Sequence, residues 1–114
     1  MKKIILILLV AFSYGVSAQE VQEKSKKKKT AMTVNGNCEM CKARIEKSCL
    51  KTTGVKYAQW DVNSKQLNLI FNEYMTSKDE IQQSILKVGH DVDSLTANPD
   101  SYKELHTCCQ YRED

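Results

Sequence analysis

Two neighbouring segments in the middle of the chain alternate apolar and polar residues, and this pattern constrains the fold more than any other feature. Alternation with a period of two is typical of a strand that buries one of its faces. Residues 55–62 and 66–71 both show it, and only three polar residues, 63–65, separate them. We therefore predict an antiparallel hairpin. The apolar positions of its buried face are Ala58, Trp60, Val62, Leu67, Leu69 and Phe71.

One helix is predicted on each side of this hairpin. The first runs from about Cys41 to Leu50 and stops before Gly54, a residue type that commonly ends helices. The second begins after Ser77, because Ser77 and Glu80 have the spacing of a capping box, and it ends at Gly89. Apolar residues at helical spacing give each helix one inner face, formed by Cys41, Ile45 and Cys49 in the first helix and by Ile81, Ile85 and Val88 in the second.

Two short strands complete the predicted order of elements. One is Thr30–Val34, which ends in a polar turn cluster, and the other is the weaker segment His90–Leu95. The order βαββαβ predicts an α+β fold, the split-βαβ sandwich, in which an antiparallel sheet carries two helices on one face. Beyond it, Asn98 as N-cap and Pro99 at the first helical position predict a short tail helix over Pro99–Leu105.

The N-terminal residues have the pattern of a secretory targeting signal. Lysines at positions 2 and 3 precede an apolar run at 4–12 and a small-residue cleavage pattern at 16–18. We predict a removable signal peptide over 1–18 and export, most simply to the periplasm; a retained N-terminal anchor is the alternative. The remaining organisation is a lysine-rich linker over 19–29, one domain over 30–95 and a C-terminal tail over 96–114. After signal removal no further apolar stretch is long enough to span a bilayer.

The positive charge of the chain is concentrated near its N-terminus. The formal net charge is +3, but the residues from Thr30 onward hold ten Lys or Arg against twelve Asp or Glu. A nucleic-acid-binding domain needs clustered positive charge on its folded surface, so this distribution argues against a nucleic-acid partner. The lysine run is interpreted as a solvated spacer in preference to a lipid contact.

All five cysteines lie beyond the predicted signal peptide. An odd number is a poor fit to a closed disulfide scaffold, so at least one thiol is expected to be free, buried or bound to metal. Cys49 lies on the same helical face as Ile45, and we predict it to be a core residue because a buried cysteine acts as a small hydrophobe. Cys38, Cys41, Cys108 and Cys109 remain as candidates for chemistry.

Cys38 and Cys41 are the primary candidate metal ligands. They are separated by two residues on a loop that enters a helix, which brings two sulfurs near one point. Unpaired N–H groups and the partial positive charge of a helix N-terminus both favour thiolate over thiol. Two thiolates match the preference of a soft d¹⁰ ion such as Cu(I). A C-x-x-C pair alone leaves disulfide, redox and zinc interpretations open.

The surrounding sequence resembles the heavy-metal-associated (HMA) domain family over roughly residues 30–95. Members include copper chaperones, N-terminal modules of copper-transporting ATPases and the periplasmic mercury-binding protein. The resemblance implies a ferredoxin-like fold and metal bound by the matching Cys38 and Cys41. The residues that carry it are Gly36, Cys38, Cys41, Ile45, Glu46, Cys49, Gly54 and Val55, then residues 58–62, and later Ile81, Ile85, Gly89, His90 and Asp91.

The chain departs from the family pattern at two places. The segment before Cys38 is one residue shorter and lacks the usual methionine, which leaves the loop geometry open, and Met40 either fills that gap or faces solvent. His90 stands where many members have an aromatic residue. Because the family's corresponding loop lies beside the metal loop, the resemblance makes His90 a candidate third ligand or tuning group; a partly exposed loop histidine is the alternative.

The vicinal pair Cys108-Cys109 has no counterpart in the plain HMA domain. It completes a sulfur-rich site with Cys38 and Cys41, or forms its own metal or redox site with His106, or closes into a strained disulfide. Placement after a capped helix favours metal participation.

The leading hypothesis is therefore a binding protein and not an enzyme. It binds Cu(I), or alternatively Hg(II), Ag(I), Zn(II) or Cd(II), and buffers the ion or passes it to a metal-transporting membrane protein or another metal-binding domain. A periplasmic mercury-binding or transport component is the nearest alternative. A thiol–disulfide oxidoreductase is disfavoured because no Trp precedes Cys38 and Glu39 raises a neighbouring thiol pKa. A four-sulfur zinc module is the third hypothesis.

Overall fold

The structure is a computed structural model that describes residues 26–112. The predicted signal peptide at 1–18 and most of the predicted linker lie outside the described residues. In chain order the elements are β1 (Lys27–Thr33), α1 (Glu39–Leu50), β2 (Val55–Trp60), β3 (Gln66–Asn72), α2 (Lys78–Lys87), α3 (Pro99–Lys103) and a 3₁₀ turn (Thr107–Cys109).

The predicted hairpin forms the centre of the sheet. β2 and β3 pair antiparallel with Trp60 opposite Leu67, and a register shift between Val55 and Tyr57 bends the start of β2. β1 pairs antiparallel with the other side of β3, which gives the strand order β1-β3-β2. The hairpin prediction and the α+β fold class are confirmed.

Both long helices contribute to one core above the sheet, as the apolar pattern predicted. The inner residues of α1 and α2 are fully buried, whereas Val88, the C-cap of α2, is only half-buried. Burial of an aliphatic or aromatic side chain contributes about 1.5–3 kcal/mol, so this core accounts for much of the stability of the fold. Its principal members are Met32, Val34, Ile45, Cys49, Trp60, Leu67, Leu69, Phe71, Ile81, Ile85 and Val92.

Both ends of α2 follow the local sequence. The Ser77 hydroxyl accepts a hydrogen bond from the backbone N–H of Glu80 at 3.3 Å, as a capping box requires. The Glu80 carboxylate accepts from the Thr76 hydroxyl at 2.9 Å, so only one half of the box is formed. Gly89 follows the helix with φ +97°, a conformation that residues with a Cβ rarely adopt.

The first strand begins earlier than predicted. Lys27–Lys29, assigned to the linker from their charge, belong to β1 and pair with Ile70–Asn72. β1 is an edge strand of the three-stranded sheet, so its lysine side chains remain in water while the backbone pairs. The Lys28 ammonium lies 3.1 Å from the Glu73 carboxylate. The lysine-rich composition of this segment therefore predicted a linker, whereas the structure has an edge strand whose side chains are in solvent.

The predicted last strand, His90–Leu95, is wrong as a continuous strand. Within residues 26–112 it is reduced to isolated bridges that pair Val92 with Val34 and with Leu95. Asp93 has φ +52°, and its carboxylate accepts from the Thr33 N–H at 3.0 Å, so the segment turns back instead of extending. The ferredoxin-like fold is retained with a shortened fourth strand.

The tail forms the predicted helix in a shorter version. The Asn98 side chain accepts from the backbone N–H of Asp100 at 2.8 Å, and Pro99 occupies the first turn. The helix ends at Lys103 and not at Leu105, which is buried against the core. No helix among residues 26–112 has the length and apolarity needed to cross a bilayer.

Candidate metal centre

The loop that enters α1 is held tightly against the core. A Cβ at Gly36 would lie 2.9 Å from the Cβ of Cys41 and 3.1 Å from the Trp60 ring, so only glycine fits. The Lys65 ammonium donates to the Gly36 carbonyl at 2.6 Å, and the Trp60 indole N–H donates to the Val34 carbonyl at 3.0 Å. These contacts fix the backbone just before the first cysteine.

The first two cysteines lie at the N-terminus of α1. Cys38 is the N-cap residue and is partly exposed, whereas Cys41 is fully buried in the first turn. Their Sγ atoms are 3.6 Å apart, and the backbone N–H of Asn37 donates to the Cys41 sulfur at 3.3 Å. The helix terminus supplies further N–H groups and a partial positive charge, which stabilise anionic sulfur. The sequence prediction of a two-sulfur loop entering a helix matches this geometry.

The tail cysteines reach the same point. Cys38 Sγ lies 3.3 Å from Cys108 Sγ and 3.4 Å from Cys109 Sγ, and the two tail sulfurs are 3.9 Å apart. The sulfurs of Cys38, Cys108 and Cys109 thus all lie within 4.8 Å of one another. All five cysteines are free thiols in this structure. Of the predicted site residues, the structure brings together Cys38, Cys41, Cys108 and Cys109.

A polar clamp, formed by Tyr111 and Arg112 of the tail with Gly89 and Asp91, holds the tail in this position. The Tyr111 hydroxyl accepts from the Asp91 backbone N–H at 2.7 Å and donates to the Gly89 carbonyl at 2.8 Å. The Arg112 guanidinium donates to the Asp91 carboxylate at 2.8 Å and lies over the Tyr102 ring, 4.3 Å from its centroid. Tyr111 and Arg112 lie two and three residues after Cys109, so these contacts fix the path of the 3₁₀ turn.

The thiols of Cys38, Cys108 and Cys109 differ in their pKa values. Burial by itself raises the pKa of Cys38, but hydrogen bonds with the backbone N–H of Cys41 and with the thiols of Cys108 and Cys109 lower that pKa to about 6. Burial, followed by the hydrogen bond with Cys41, raises the pKa of Cys109. The hydrogen bond with Cys38, followed by burial, raises the pKa of Cys108. The metal-free site therefore carries its negative charge on Cys38, which the other thiols stabilise.

His90 lies outside the sulfur group. Its Nδ1 donates to the Asn35 carbonyl at 2.7 Å, and its ring stacks on Tyr111 with 5.6 Å between centroids. Burial lowers the pKa of His90, so the imidazole is neutral. Its Nε2 is buried and has no hydrogen-bond partner among residues 26–112. The ring is fully buried, so the alternative of a partly exposed loop histidine is wrong; a role as metal ligand or tuning group stays a prediction.

Two other sulfur-bearing residues have contrasting environments. Cys49 is fully buried in the core, and burial raises its pKa to about 11, so it remains a neutral thiol as a core residue should. Met40, in contrast, is 45% exposed, and its thioether lies 3.5 Å from Cys108 Sγ. The sequence predicts either that Met40 fills the place of the missing family methionine or that it faces solvent. Its position between the two loop cysteines was the signal that it belongs to the site.

No protein-family model and no curated protein matches the chain in our comparisons. Among solved structures the chain is similar to the CopZ metallochaperone, with 21% identity and a TM-score of 0.56 over 57% of this chain and 98% of that one. It is also similar to oxidised MerP from Ralstonia metallidurans CH34, with 19% identity and a TM-score of 0.57 over 60% of this chain and 96% of that one. At these identities the likeness shows the fold.

A higher identity is found with CopA from Bacillus subtilis. The copper form of a CopA variant is 35% identical to this chain, over 61% of this chain and 93% of that one, with a TM-score of 0.54. Fold and site together define a small ferredoxin-like domain that presents a two-cysteine loop at the start of its first helix. The chain belongs to the heavy-metal-associated (HMA) domain family.

Proposed function

We propose that this protein is an exported soft-metal-binding protein whose cargo is Cu(I), bound by the thiolates of Cys38 and Cys41. The observation that carries this proposal is the pair of free thiols, 3.6 Å apart, at the N-terminus of α1 in an HMA domain. Binding and transfer of the ion, without catalysis, is the role that such a site serves.

The choice of ion follows from the chemistry of the donors. Thiolate and thioether sulfur are soft ligands that favour Cu(I) among the abundant biological metals. CopZ is described as a metallochaperone, and another similar structure is the Cu(I)-loaded domain of a potential copper-translocating P-type ATPase. Hg(II) is the second candidate because the fold is also that of MerP. Ag(I) and Cd(II) share the same preference for sulfur.

Unequal exposure of the two sulfurs supports a role in transfer. Cys38 is partly exposed and Cys41 is fully buried, so a thiolate of a partner reaches an ion at Cys38 first. The ion then passes through a state shared between donor and acceptor sulfurs and is never free in water. A metal-transporting membrane protein or another metal-binding domain is the class of partner that this exchange requires.

A zinc-stabilised structural module is a second candidate, favoured by the convergence of four thiols. Structural zinc sites use four ligands with Zn–S distances of about 2.3 Å, which places tetrahedral sulfurs about 3.8 Å apart. The sulfurs of Cys38, Cys108 and Cys109 are separated by 3.3–3.9 Å, close to that spacing, and Cys41 Sγ lies 3.6 Å from Cys38 Sγ as the fourth thiol. This candidate predicts that zinc resists competition by Cu(I) and that removal of zinc unfolds the tail.

Export is proposed from the pattern at residues 1–18. In a Gram-negative host, fractionation should recover a chain that begins near Gln19 in the periplasm. A full-length chain in the cytoplasm would contradict export without affecting the metal proposal.

Metal titration of the reduced protein tests the function. We expect stoichiometric Cu(I) binding that survives competition with zinc and is lost in Cys38→Ser, with Cys49→Ser as the matched thiol control. Zinc that Cu(I) fails to displace would favour the structural module. Metal-independent reduction of insulin, abolished by the same substitution, would overturn the proposal in favour of a thiol–disulfide oxidoreductase.

A further inference from the structure

We propose that the C-terminal tail closes the metal site by supplying Cys108 and Cys109 as ligands beside Cys38, so that the ion is released more slowly than from a two-cysteine loop alone. This inference rests on the proposed function and adds to it. A two-cysteine loop alone leaves an ion open to attack from solvent, whereas a site closed by the tail does not.

The sulfur separations support more than two ligands. With metal–sulfur distances of about 2.3 Å, a linear site separates its two sulfurs by about 4.6 Å, a trigonal site by about 4.0 Å and a tetrahedral site by about 3.8 Å. Cys38 Sγ lies 3.3 Å from Cys108, 3.4 Å from Cys109 and 3.6 Å from Cys41. Cys38 is therefore the common neighbour of three other thiols, at separations nearer to those of a three- or four-sulfur site.

The tail is positioned by contacts that do not depend on the ion. The Tyr111 hydroxyl bonds both Gly89 and Asp91, and a Cβ at Gly89 would lie only 2.7 Å from the Ser101 carbonyl oxygen. Cys109 is fully buried among core residues. The tail loses its conformational entropy when the protein folds and not when the ion binds. The tail sulfurs therefore add affinity without a further loss of chain entropy.

Access to the site is restricted to one side. Cys41 and Cys109 are fully buried, whereas Cys108 is exposed and lies 3.5 Å from the Met40 thioether. An attacking sulfur must therefore approach on the side of Cys38 and Cys108 and displace a tail ligand that the polar clamp holds in place. Each ligand that is still protonated releases its proton to solvent when it binds the ion, and no electron is transferred. Slow release of the ion follows from this arrangement.

Two measurements on the Cu(I)-loaded protein test the closure. X-ray absorption counts the sulfurs around copper, and transfer to excess bathocuproine disulfonate measures release. We expect about three sulfurs or more in the unmodified protein and about two in Cys108→Ser/Cys109→Ser. Release from that double variant should be at least about tenfold faster, since even the loss of a group that only orients a ligand costs about 10–100-fold in affinity.

Two further variants separate ligation from general damage. Tyr111→Phe keeps every thiol but loses the hydroxyl that holds the tail, so it should release copper faster than the unmodified protein. Cys49→Ser removes a thiol outside the site and should leave both the sulfur count and the release rate unchanged. Circular dichroism confirms that each variant is folded.

Equal sulfur counts and equal release rates in the unmodified protein and the double variant would overturn the closure, while the binding at Cys38 and Cys41 would stand. Failure of the unmodified protein to bind Cu(I), or full binding by Cys38→Ser, would instead overturn the proposed function. The two failures are therefore distinguishable in one set of samples.

Discussion

The two pairs of cysteines that meet at the candidate metal centre are positioned in different ways. Cys38 and Cys41 belong to the first turn of α1, and their backbone is fixed by Gly36 packed against Trp60. The tail pair lies in a 3₁₀ turn seventy residues later and is held by the hydroxyl and guanidinium groups that follow it. The comparison teaches that one half of the site is encoded locally and the other half by long-range contacts.

This difference has consequences for stability. The loop is continuous with the core of the sheet, so it should open only when the whole domain unfolds. The tail adds a five-residue helix and a three-residue turn that bury only Leu105 and Cys109 in the core, and such short segments open at lower free energy than core strands. We therefore expect the tail to detach while the sheet and the loop remain folded.

The largest expected effect is a loss of Cu(I) affinity, which should be greater for substitution of a loop cysteine than of a tail cysteine. Cys38→Ser removes the one sulfur that lies within 3.6 Å of the other three, so it should weaken Cu(I) binding by at least about a hundredfold. Cys108→Ser keeps both loop cysteines, so it should weaken Cu(I) binding less. Competition with a chromophoric chelator measures both. A larger loss of Cu(I) affinity in Cys108→Ser than in Cys38→Ser would show that the tail pair, and not the loop pair, dominates binding.

Chemical reactivity gives a second contrast. Although Cys108 is the more exposed thiol, Cys38 should be alkylated first at pH 7, because its pKa is lowered to about 6 and that of Cys108 is raised. The difference should be on the order of tenfold, and the rate at Cys38 should fall as the pH drops through about 6. Mass spectrometry of the metal-free protein after brief iodoacetamide treatment identifies the site. Preferential labelling of Cys108 would contradict the assignment of charge to Cys38.

The same lowered pKa makes stability depend on pH. Between about pH 6 and pH 9 the unfolded chain keeps a proton on this thiol that the folded chain has lost, so the metal-free fold gains stability as the pH rises through this window. The gain is lost as the pH falls through about 6. Urea unfolding of the reduced protein at pH 6 and at pH 8 measures the change.

A methyl group placed in the loop should destabilise the whole domain. Gly36→Ala brings a Cβ to 2.9 Å from the Cβ of Cys41, and overpacking of this kind costs about 1–3 kcal/mol in the free energy of unfolding. Asn37→Ala, at the next and exposed position, is the matched control and should change it by less than about 0.5 kcal/mol. Urea unfolding reports both. Equal stability of the two variants would show that the core does not fix the loop.

The smallest expected effect is confined to the tail. Asn98→Ala removes the side chain that caps α3 and should cost about 1 kcal/mol of local stability, whereas Asn98→Asp keeps an acceptor and should be nearly neutral. Hydrogen exchange should become faster in residues 99–112 and remain unchanged in β3. A uniform increase across the sheet would mean that tail and domain unfold together.

The sequence was sufficient for the central hairpin, both long helices and the loop cysteines because each of these rests on local periodicity or spacing. Ser77 as a cap and Gly89 as a stop were predicted for the same reason and are confirmed. The sequence-based predictions were wrong where charge or a tertiary contact mattered more than the local apolar pattern. Lysines at 27–29 obscured a strand edge, and the turn at Asp93 shortened the last strand.

The sequence was not sufficient to decide where the tail cysteines go. Three alternatives remained for Cys108 and Cys109, because their position depends on a hydroxyl at Tyr111 meeting backbone groups near Gly89. No periodicity encodes a contact between residues so far apart. The burial of His90 beneath the same tyrosine ring was missed for that reason too.

Cysteine ¹³Cβ chemical shifts in the reduced protein, before and after one equivalent of Cu(I), test the central claim most directly. Loop and tail sulfurs that converge on one ion should all respond, so the shifts of Cys38, Cys41, Cys108 and Cys109 should change together while that of Cys49 stays constant. Unchanged shifts at Cys38 and Cys41, or at Cys108 and Cys109, in protein that has bound copper would contradict the account.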